Sequence, residues 1–371
     1  MAEPPQTEKI PALIFASPEA GLRIAALTVL DRLIVALHRG GAGPITIVAE
    51  AELPPLKRAK ALRIPFEVAK QPPRIAGRVL LAQGNVLVQA PDVRHCLAVG
   101  GRLRSRAKLL SIGVVAHDHL SSLEKALAGA NQIDAQGVAR TIENQSDARE
   151  AERALWATMW SSSDGFVDKV FNRPVGRFFS KLLIFTPVSP NMISIASIII
   201  GVIAALFLAE GSFQMTLIGA ILFQISAIID CVDGDIARIL FKESPLGKWI
   251  DLAGDQIVHI SVFAGIAFGV LRNGGDKETI WLGVSAVLGA LLSFVVVVRG
   301  MRQPADPSGR LQKLIDGATS RDFSVIVLAL AFFQKLPWFL WMAGIGSHAF
   351  WITALGLQLA TKPQAVSKAS R

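Results

Sequence analysis

Between two strongly apolar stretches, from Asp230 to Asp255, the chain reads D-C-V-D-G-D-I-A-R-I-L-F-K-E-S-P-L-G-K-W-I-D-L-A-G-D. Four of its carboxylates, Asp230, Asp233, Asp251 and Asp255, recur at helical spacing. The first two are i,i+3 and the last two i,i+4, so each pair shares one helix face. Charges beside hydrocarbon-like sequence are expensive, and they usually bind an ion, line a polar cavity or do chemistry. Two such faces joined by a short turn make an oxygen-rich cage suited to Mg²⁺, Mn²⁺ or Ca²⁺. The ordinary alternative is a set of solvated helix caps. That reading suits Asp235 and Glu243, which have no place in the pattern, but not two same-face pairs accompanied by Gly234 and Gly247.

The run fills every position of D-x2-D-G-x2-A-R-x8-G-x3-D-x3-D, with Asp230, Asp233, Gly234, Ala237, Arg238, Gly247, Asp251 and Asp255. This pattern resembles the signature of the CDP-alcohol phosphotransferase (phosphatidyltransferase) family. The resemblance implies a metal-dependent transfer of a phosphatidyl or phospho-alcohol group from a CDP-alcohol to a hydroxyl acceptor, with release of CMP. It further implies that Asp230, Asp233 and Asp251 hold one or two Mg²⁺ or Mn²⁺ ions against the CDP phosphates. Asp255 becomes the general base, also able to touch a second metal. Gly234 and Gly247 let the CDP moiety approach the backbone, Ala237 meets the same need for a small side chain, and Arg238 donates to a phosphate. A homodimer in a prokaryotic cytoplasmic membrane is expected on the same ground.

The elements that must position these residues follow from hydropathy. The chain has 371 residues, 51% of them hydrophobic, and a net charge of +9. Residues up to about 160 read as a soluble α/β mixture, whereas Met192 to Ala360 is dominated by apolar runs. About six transmembrane helices are expected, over Pro190–Leu208, Phe213–Ile239, Leu246–Val270, Glu278–Val298, Asp322–Phe333 and Pro337–Leu359, with Lys335-Leu336-Pro337 separating the last two. Met1–Gln6 is polar and proline-rich, unlike a signal peptide. Basic residues set the orientation. Lys169, Arg173, Arg177 and Lys181 precede the first span; Arg238, Lys242 and Lys248 follow the second; Arg299, Arg302, Arg310, Lys313 and Arg321 follow the fourth; and Lys362, Lys368 and Arg371 follow the last. The N-terminal domain, the aspartates and the C-terminus are therefore expected to face the cytoplasm. The basic excess reads as orientation and attraction to anionic lipid rather than nucleic-acid binding. Two distant cysteines, Cys96 and Cys231, make no disulfide framework.

Three domains are expected: an α/β domain over residues 1–155, a juxtamembrane amphipathic segment over 164–186, and the all-α polytopic membrane domain over 187–362. In the middle segment, Ser161–Gly165 reads as a hinge. Basic residues then recur every fourth position against Phe166, Val170, Phe171, Phe178, Phe179, Leu182 and Leu183, an interfacial pattern that Pro174 kinks or restarts. N-R-P-V-G-R (Asn172–Arg177) followed by T-P-V-S-P-N (Thr186–Asn191) resembles the inositol-phosphate-using branch of the family, a softer match than the aspartates.

In the first domain, Ala12–Phe15, Ile45–Ala49, Phe66–Lys70, Val79–Leu81 and Lys108–Ala116 read as strands and Leu22–Leu37 as a helix, predicting a mostly parallel α/β sandwich. The run Ala20–Val48 resembles the opening of sugar-nucleotidyltransferase domains. Such domains carry a glycine-rich basic loop after the first strand, where this chain has A-S-P-E-A-G-L-R (Ala16–Arg23). They also carry a D-G-D-like metal site, where this chain has Gln83-Gly84-Asn85. Amides supply no negative charge for a hard cation. The expectation is a degenerate nucleotidyltransferase-like domain acting as scaffold or regulator.

Within the membrane domain, His259 is one turn beyond Asp255 and reads as a buried histidine, with His348 and Trp249 as packing residues. Arg299, Arg302 and Arg321 either grip an acceptor phosphate or serve topology alone. The donor is CDP-diacylglycerol, giving a phospholipid, or a CDP-polyol such as CDP-inositol, giving a soluble phosphodiester; inositol phosphate is the favoured acceptor. Two alternatives stay open: a bifunctional cytidylyltransferase/phosphotransferase, and a non-enzymatic cation-binding membrane protein. An ion path would spread polar groups across the membrane, whereas these cluster at one end.

Overall fold

The computed structural model describes residues 9–116, 122–159, 165–302 and 323–360. The chain divides into two compact units, one of residues 1–159 with 239–241, the other of the remainder.

The first unit contains strands β1 (Ala12–Phe15), β2 (Arg23–Ile24), β3 (Leu27–Thr28), β4 (Ile45–Val48), β5 (Phe66–Ala69), β6 (Arg78–Gln83), β7 (Val86–Leu87), β8 (Gly101–Ser105), β9 (Lys108–Ala116), β10 (Gln132–Asp134) and β11 (Arg140–Thr141). Between them lie helices α1 (Val29–Gly40), α2 (Lys57–Ala61), α3 (Ala90–Val99), α4 (Leu123–Ala128) and α5 (Gln145–Ala157). Seven strands form one sheet in the order β10-β8-β9-β6-β1-β4-β5. β1 pairs parallel with β4 and β6, in register Ala12↔Ile45 and Ala12↔Leu80, and β9 runs antiparallel to β6 and β8. Alternation sorts the side chains. Ile14, Ile45, Ile47 and Leu80 join Leu30, Leu33, Ile34 and Leu37 of α1 in the main core, while Leu13, Val79 and Leu81 face Leu123 and Ala126 of α4.

The five expected strands are present, and the sheet is mixed but mostly parallel. Leu22–Leu37, however, is not one helix. Its first third is the β2–β3 hairpin, turned by Ala25 and Ala26 at φ 45° and 65°, and α1 starts only after Thr28, whose hydroxyl accepts from the Asp31 amide at 3.2 Å. Contacts distant in sequence decide this. Arg32 donates to the carbonyls of Ile24 and Ala25 at 2.9 and 3.2 Å, and the Ala25 amide donates to Glu152 Oε2 at 3.1 Å. Those bonds outweigh the local helical periodicity.

The second unit opens with a short π-helical turn, Asp168–Asn172, followed by α6 (Arg173–Leu183), so Pro174 restarts the helix at its first turn. Then come α7 (Pro190–Ala209), α8 (Phe213–Ile239), α9 (Pro245–Arg272), α10 (Glu278–Met301), α11 (Phe323–Phe332) and α12 (Leu336–Ala360). Five of them, α7, α8, α9, α10 and α12, are long and apolar enough to cross a membrane. The fifth expected span, Asp322–Phe333, is represented among the described residues by α11, ten residues long. At about 1.5 Å per residue it reaches only half of a bilayer core of roughly 30 Å. The break before α12 is real: Gln334 has φ 58° and Pro337 occupies the first turn.

Small residues draw α7 and α9 together. A Cβ on Gly265 would meet the Ala205 carbonyl oxygen at 2.4 Å, one on Gly254 the Ile198 side chain at 2.3 Å, and one on Gly201 the Val258 side chain at 2.7 Å. His348 joins α10 to α12: Nε2 lies 3.1 Å from the Ser285 carbonyl, and Nδ1 accepts from Trp351 at 2.9 Å. The packing expected of His348 holds. Trp249 differs, being 45% exposed.

Candidate active site

α8 runs into the short link Leu240–Ser244, and α9 leaves from it, so the last turns of one helix neighbour the first turns of the next. Ser244 caps α9 by accepting from the Gly247 amide at 2.9 Å, with Pro245 in the first turn. From these two ends Asp230, Asp233 and Asp251 converge: one carboxylate oxygen of each lies within 4.8 Å of the other two. Asp233 is buried, Asp230 half-buried and Asp251 exposed. Such close carboxylates repel one another, and their oxygens are the donors a hard divalent cation prefers. The donor set fits the ion expected from sequence.

A third helix completes the cluster. The Ser194 hydroxyl of α7 donates to Asp233 Oδ2, and the Ser197 hydroxyl, one turn on, donates to Asp230 Oδ1 at 3.3 Å. Neither serine was anticipated. The signal was present, since Ser194 and Ser197 are i,i+3 on an otherwise apolar helix.

Asp233 and Asp251 border a cavity of about 610 Å³ that is also lined by Gly234, Ala237, Arg238 and Gly247, the four residues expected to receive a CDP moiety. Each glycine has a local reason. A Cβ on Gly234 would stand 3.1 Å from an Arg238 guanidinium nitrogen, and one on Gly247 would stand 2.9 Å from Asn191 Oδ1. Asn191, Lys242 and Lys248 share the lining, so with Arg238 the cavity holds three cationic side chains beside the acidic cluster.

Asp255 lies one turn beyond Asp251 and is not among the three converging carboxylates. It lines a second cavity of about 300 Å³ together with Gln256, His259, Phe263, Phe323 and Phe339. His259 is buried, as expected, with its ring 4.9 Å from that of Phe323. Arg299 and Arg302, at the C-terminal end of α10, are exposed and line neither cavity; Arg321 lies outside the described residues.

Two expectations about charge fail here. Asp235 was read as a solvated cap, yet its side chain is wholly buried, accepting from Arg173 Nη1 at 2.7 Å and Arg238 Nη2 at 3.3 Å. Arg173, expected on the basic outer face of α6, is correspondingly buried. The π-helical turn before α6 carries a further polar chain to α8: Gln224 Nε2 donates to Asn172 Oδ1 at 2.6 Å, and Asn172 Nδ2 to Asp168 Oδ1 at 2.7 Å. Phe166, Val170, Phe171, Phe178, Phe179 and Leu182 remain exposed, as the interfacial pattern requires.

The family model for CDP-alcohol phosphatidyltransferases matches residues 187–361. The matched residues contain α7 to α12 and the aspartate cluster. Among similar proteins is a bifunctional IPC transferase and DIPP synthase from Thermococcus kodakarensis, 31% identical over 176 residues, which are 47% of this chain and 38% of that protein. One of the same name from Rubrobacter xylanophilus is 30% identical over 272 residues, 71% of this chain and 56% of the relative. A match that long necessarily enters the first unit. An archaetidylinositol phosphate synthase from Pyrococcus horikoshii is 30% identical over 91 residues, 24% of this chain and 47% of that protein. The chain thus spans about half or less of the length of these relatives. Among solved structures, a phosphatidylinositol phosphate synthase of Mycobacterium tuberculosis with CDP-DAG bound aligns over 54% of this chain and 99% of its own, at 18% identity and a TM-score of 0.38.

Proposed function

We propose that this chain is an integral-membrane CDP-alcohol phosphotransferase that joins a hydroxyl acceptor to the phosphoryl group of a CDP-alcohol and releases CMP. The observation that carries this reading is the convergence of Asp230, Asp233 and Asp251 at the rim of a cavity lined by Gly234, Ala237, Arg238 and Gly247. The family is divalent-metal dependent. Here Asp230, Asp233 and Asp251 would hold Mg²⁺ or Mn²⁺, with Asp255 beside a second ion, and bound metal neutralises charge developing on phosphate oxygens.

The protein's own groups do the remaining work. Gly234 and Gly247 let the nucleotide lie against the backbone, Ala237 leaves room beside them, and Arg238 donates to a phosphate oxygen. The acceptor hydroxyl oxygen forms a bond to the phosphorus that carries the donor's alcohol. The bond from that phosphorus to the bridging pyrophosphate oxygen breaks, CMP leaves with the electron pair, and the hydroxyl proton passes to Asp255. This carboxylate suits the role by being only partly buried and one turn from the acidic cluster.

For substrates, the proposal is a donor of the CDP-diacylglycerol or CDP-polyol class and an acceptor of the inositol phosphate class. The relatives' printed activities and the Asn172–Arg177 and Thr186–Asn191 runs support it. The enzyme is proposed to work as a homodimer in a prokaryotic cytoplasmic membrane, its aspartates and both termini on the cytoplasmic side with the basic segments. The first unit is proposed to be a degenerate nucleotidyltransferase-like domain, residues 1–155, ahead of the juxtamembrane segment 164–186 and the transferase domain 187–362. Asn85 supports this, because its amide is buried and donates to the Ile142 carbonyl at 3.0 Å.

The test is purified full-length protein with Mg²⁺, offered CDP-diacylglycerol or CDP-inositol with a panel of alcohols and alcohol phosphates. CMP and the phosphodiester should form together with at least one donor–acceptor pair, and should not form with Asp255→Asn. Absence of CMP release across the whole panel would overturn the reading.

A further inference from the structure

Arg238, a signature residue of the nucleotide cavity, is held in place by a group outside the signature. Its Nη2 lies 3.3 Å from Asp235 Oδ1, the same oxygen that receives Arg173 Nη1 at 2.7 Å. Exposure separates the three partners: the Asp235 side chain is 0% exposed, Arg173 6% and Arg238 29%. A carboxylate with no access to water is costly unless its charge is matched by well-placed donors. Two guanidiniums match it here, and Arg177 adds a third positive charge within electrostatic range. The cluster therefore carries surplus positive charge, and of Arg173, Asp235 and Arg238 only Arg238 lines the cavity. Its guanidinium lies across Gly234, at a distance that any Cβ would crowd.

We propose that Asp235 is a positioning residue for phosphotransfer. It holds the Arg238 guanidinium over Gly234, where the pyrophosphate of the CDP-alcohol binds, and Arg173 ties that geometry to the juxtamembrane helix α6. The inference rests on the CDP-alcohol reading above. A long, flexible arginine pre-set by a buried anion loses less conformational freedom when it grips a phosphate, so the benefit falls on donor affinity. The reacting hydroxyl, Asp255 and the metal cluster are not touched by Asp235, so the chemical step should be largely spared.

Full-length protein with Mg²⁺ would be titrated with radiolabelled CDP by equilibrium dialysis, and CMP release measured against donor concentration with whichever CDP-alcohol supports turnover. Asp235→Asn should weaken CDP binding and raise the donor KM about tenfold, the loss of one charge-assisted hydrogen bond. Its kcat at saturating donor and its Mg²⁺ dependence should stay near wild type. Asp235→Glu should recover part of the affinity. Because Asp235→Asn also removes the carboxylate that the buried Arg173 reaches, the double variant Arg173→Met/Asp235→Asn separates folding from positioning. It should regain thermal stability while donor affinity stays weak. Wild-type CDP affinity in the folded single or double variant would overturn the proposal. So would affinity that rises and falls with melting temperature across the set. No CDP binding by the wild-type protein would instead sink the CDP-alcohol reading, and this inference with it.

Discussion

The acidic cluster is held by more than its own carboxylates. Asp233 is buried and takes the Ser194 hydroxyl, and Asp230 takes Ser197, so α7 orients these two α8 carboxylates. Groups that orient metal ligands typically influence affinity by about 10- to 100-fold. Ser194→Ala should therefore raise the Mg²⁺ concentration needed for half-maximal CMP release by roughly tenfold, with the helices intact by circular dichroism. An unchanged Mg²⁺ titration would show that the hydroxyl plays no part in the metal site. Cys96 makes a separate prediction in the first unit. Burial pushes its thiol up to about 11, and its sulfur lies 3.3 Å from the Gly101 carbonyl oxygen. At pH 8 it remains a thiol, so iodoacetamide should leave the Cys96 peptide unmodified until the protein is denatured. Peptide mass mapping before and after guanidinium reads this directly.

At the scale of elements, the site depends on how closely α7 approaches α9, since Asn191, Ser194 and Ser197 come from one and Asp251 from the other. Gly201, Gly254 and Gly265 permit that approach. Gly265→Leu would drive a side chain into the Ala205 carbonyl region, an overpacking worth about 1–3 kcal/mol. It should lower the melting temperature and CMP release together. Gly356→Ala in α12, where a Cβ meets nothing within 4 Å, should leave both near wild type and serves as the control. The helix spans were legible because apolar runs bounded by Pro, Ser and charged residues leave little choice: Phe213–Ile239 was readable at both ends, and α9 and α10 to within a few residues. α11, Phe323–Phe332 among the described residues, was as readable, since Asp322–Phe333 was the expected span. The Leu22–Leu37 misreading has its own cause, since the hairpin is held by Arg32 and Glu152.

For the whole molecule, the consequential question is whether one active site or two serve the chain. With Gln83 and Asn85 in place of acids and the Asn85 amide used internally, the full-length protein should consume no CTP with inositol phosphate and Mg²⁺. Pyrophosphate release, followed in Asp255→Asn to silence the membrane site, checks it; CTP-dependent release would restore the bifunctional alternative. The sequence by itself determined the chemistry offered and the end of the bundle where it lies, because fixed spacing on two helices joined by a short link dictates which faces meet. It also determined that the chain has a membrane half, because apolar length and the bilayer's thickness are matched. Tertiary structure alone decided which charges are buried. Asp235 and Glu243 look equivalent on paper, yet Asp235 is sealed between Arg173 and Arg238 while Glu243 is exposed. It also decided that Ser194 and Ser197 reach the aspartates, and that Asp255 faces a different cavity from Asp233 and Asp251. Periodicity assigns a residue to a face of its own helix, but the neighbour on that face is chosen by packing between distant segments.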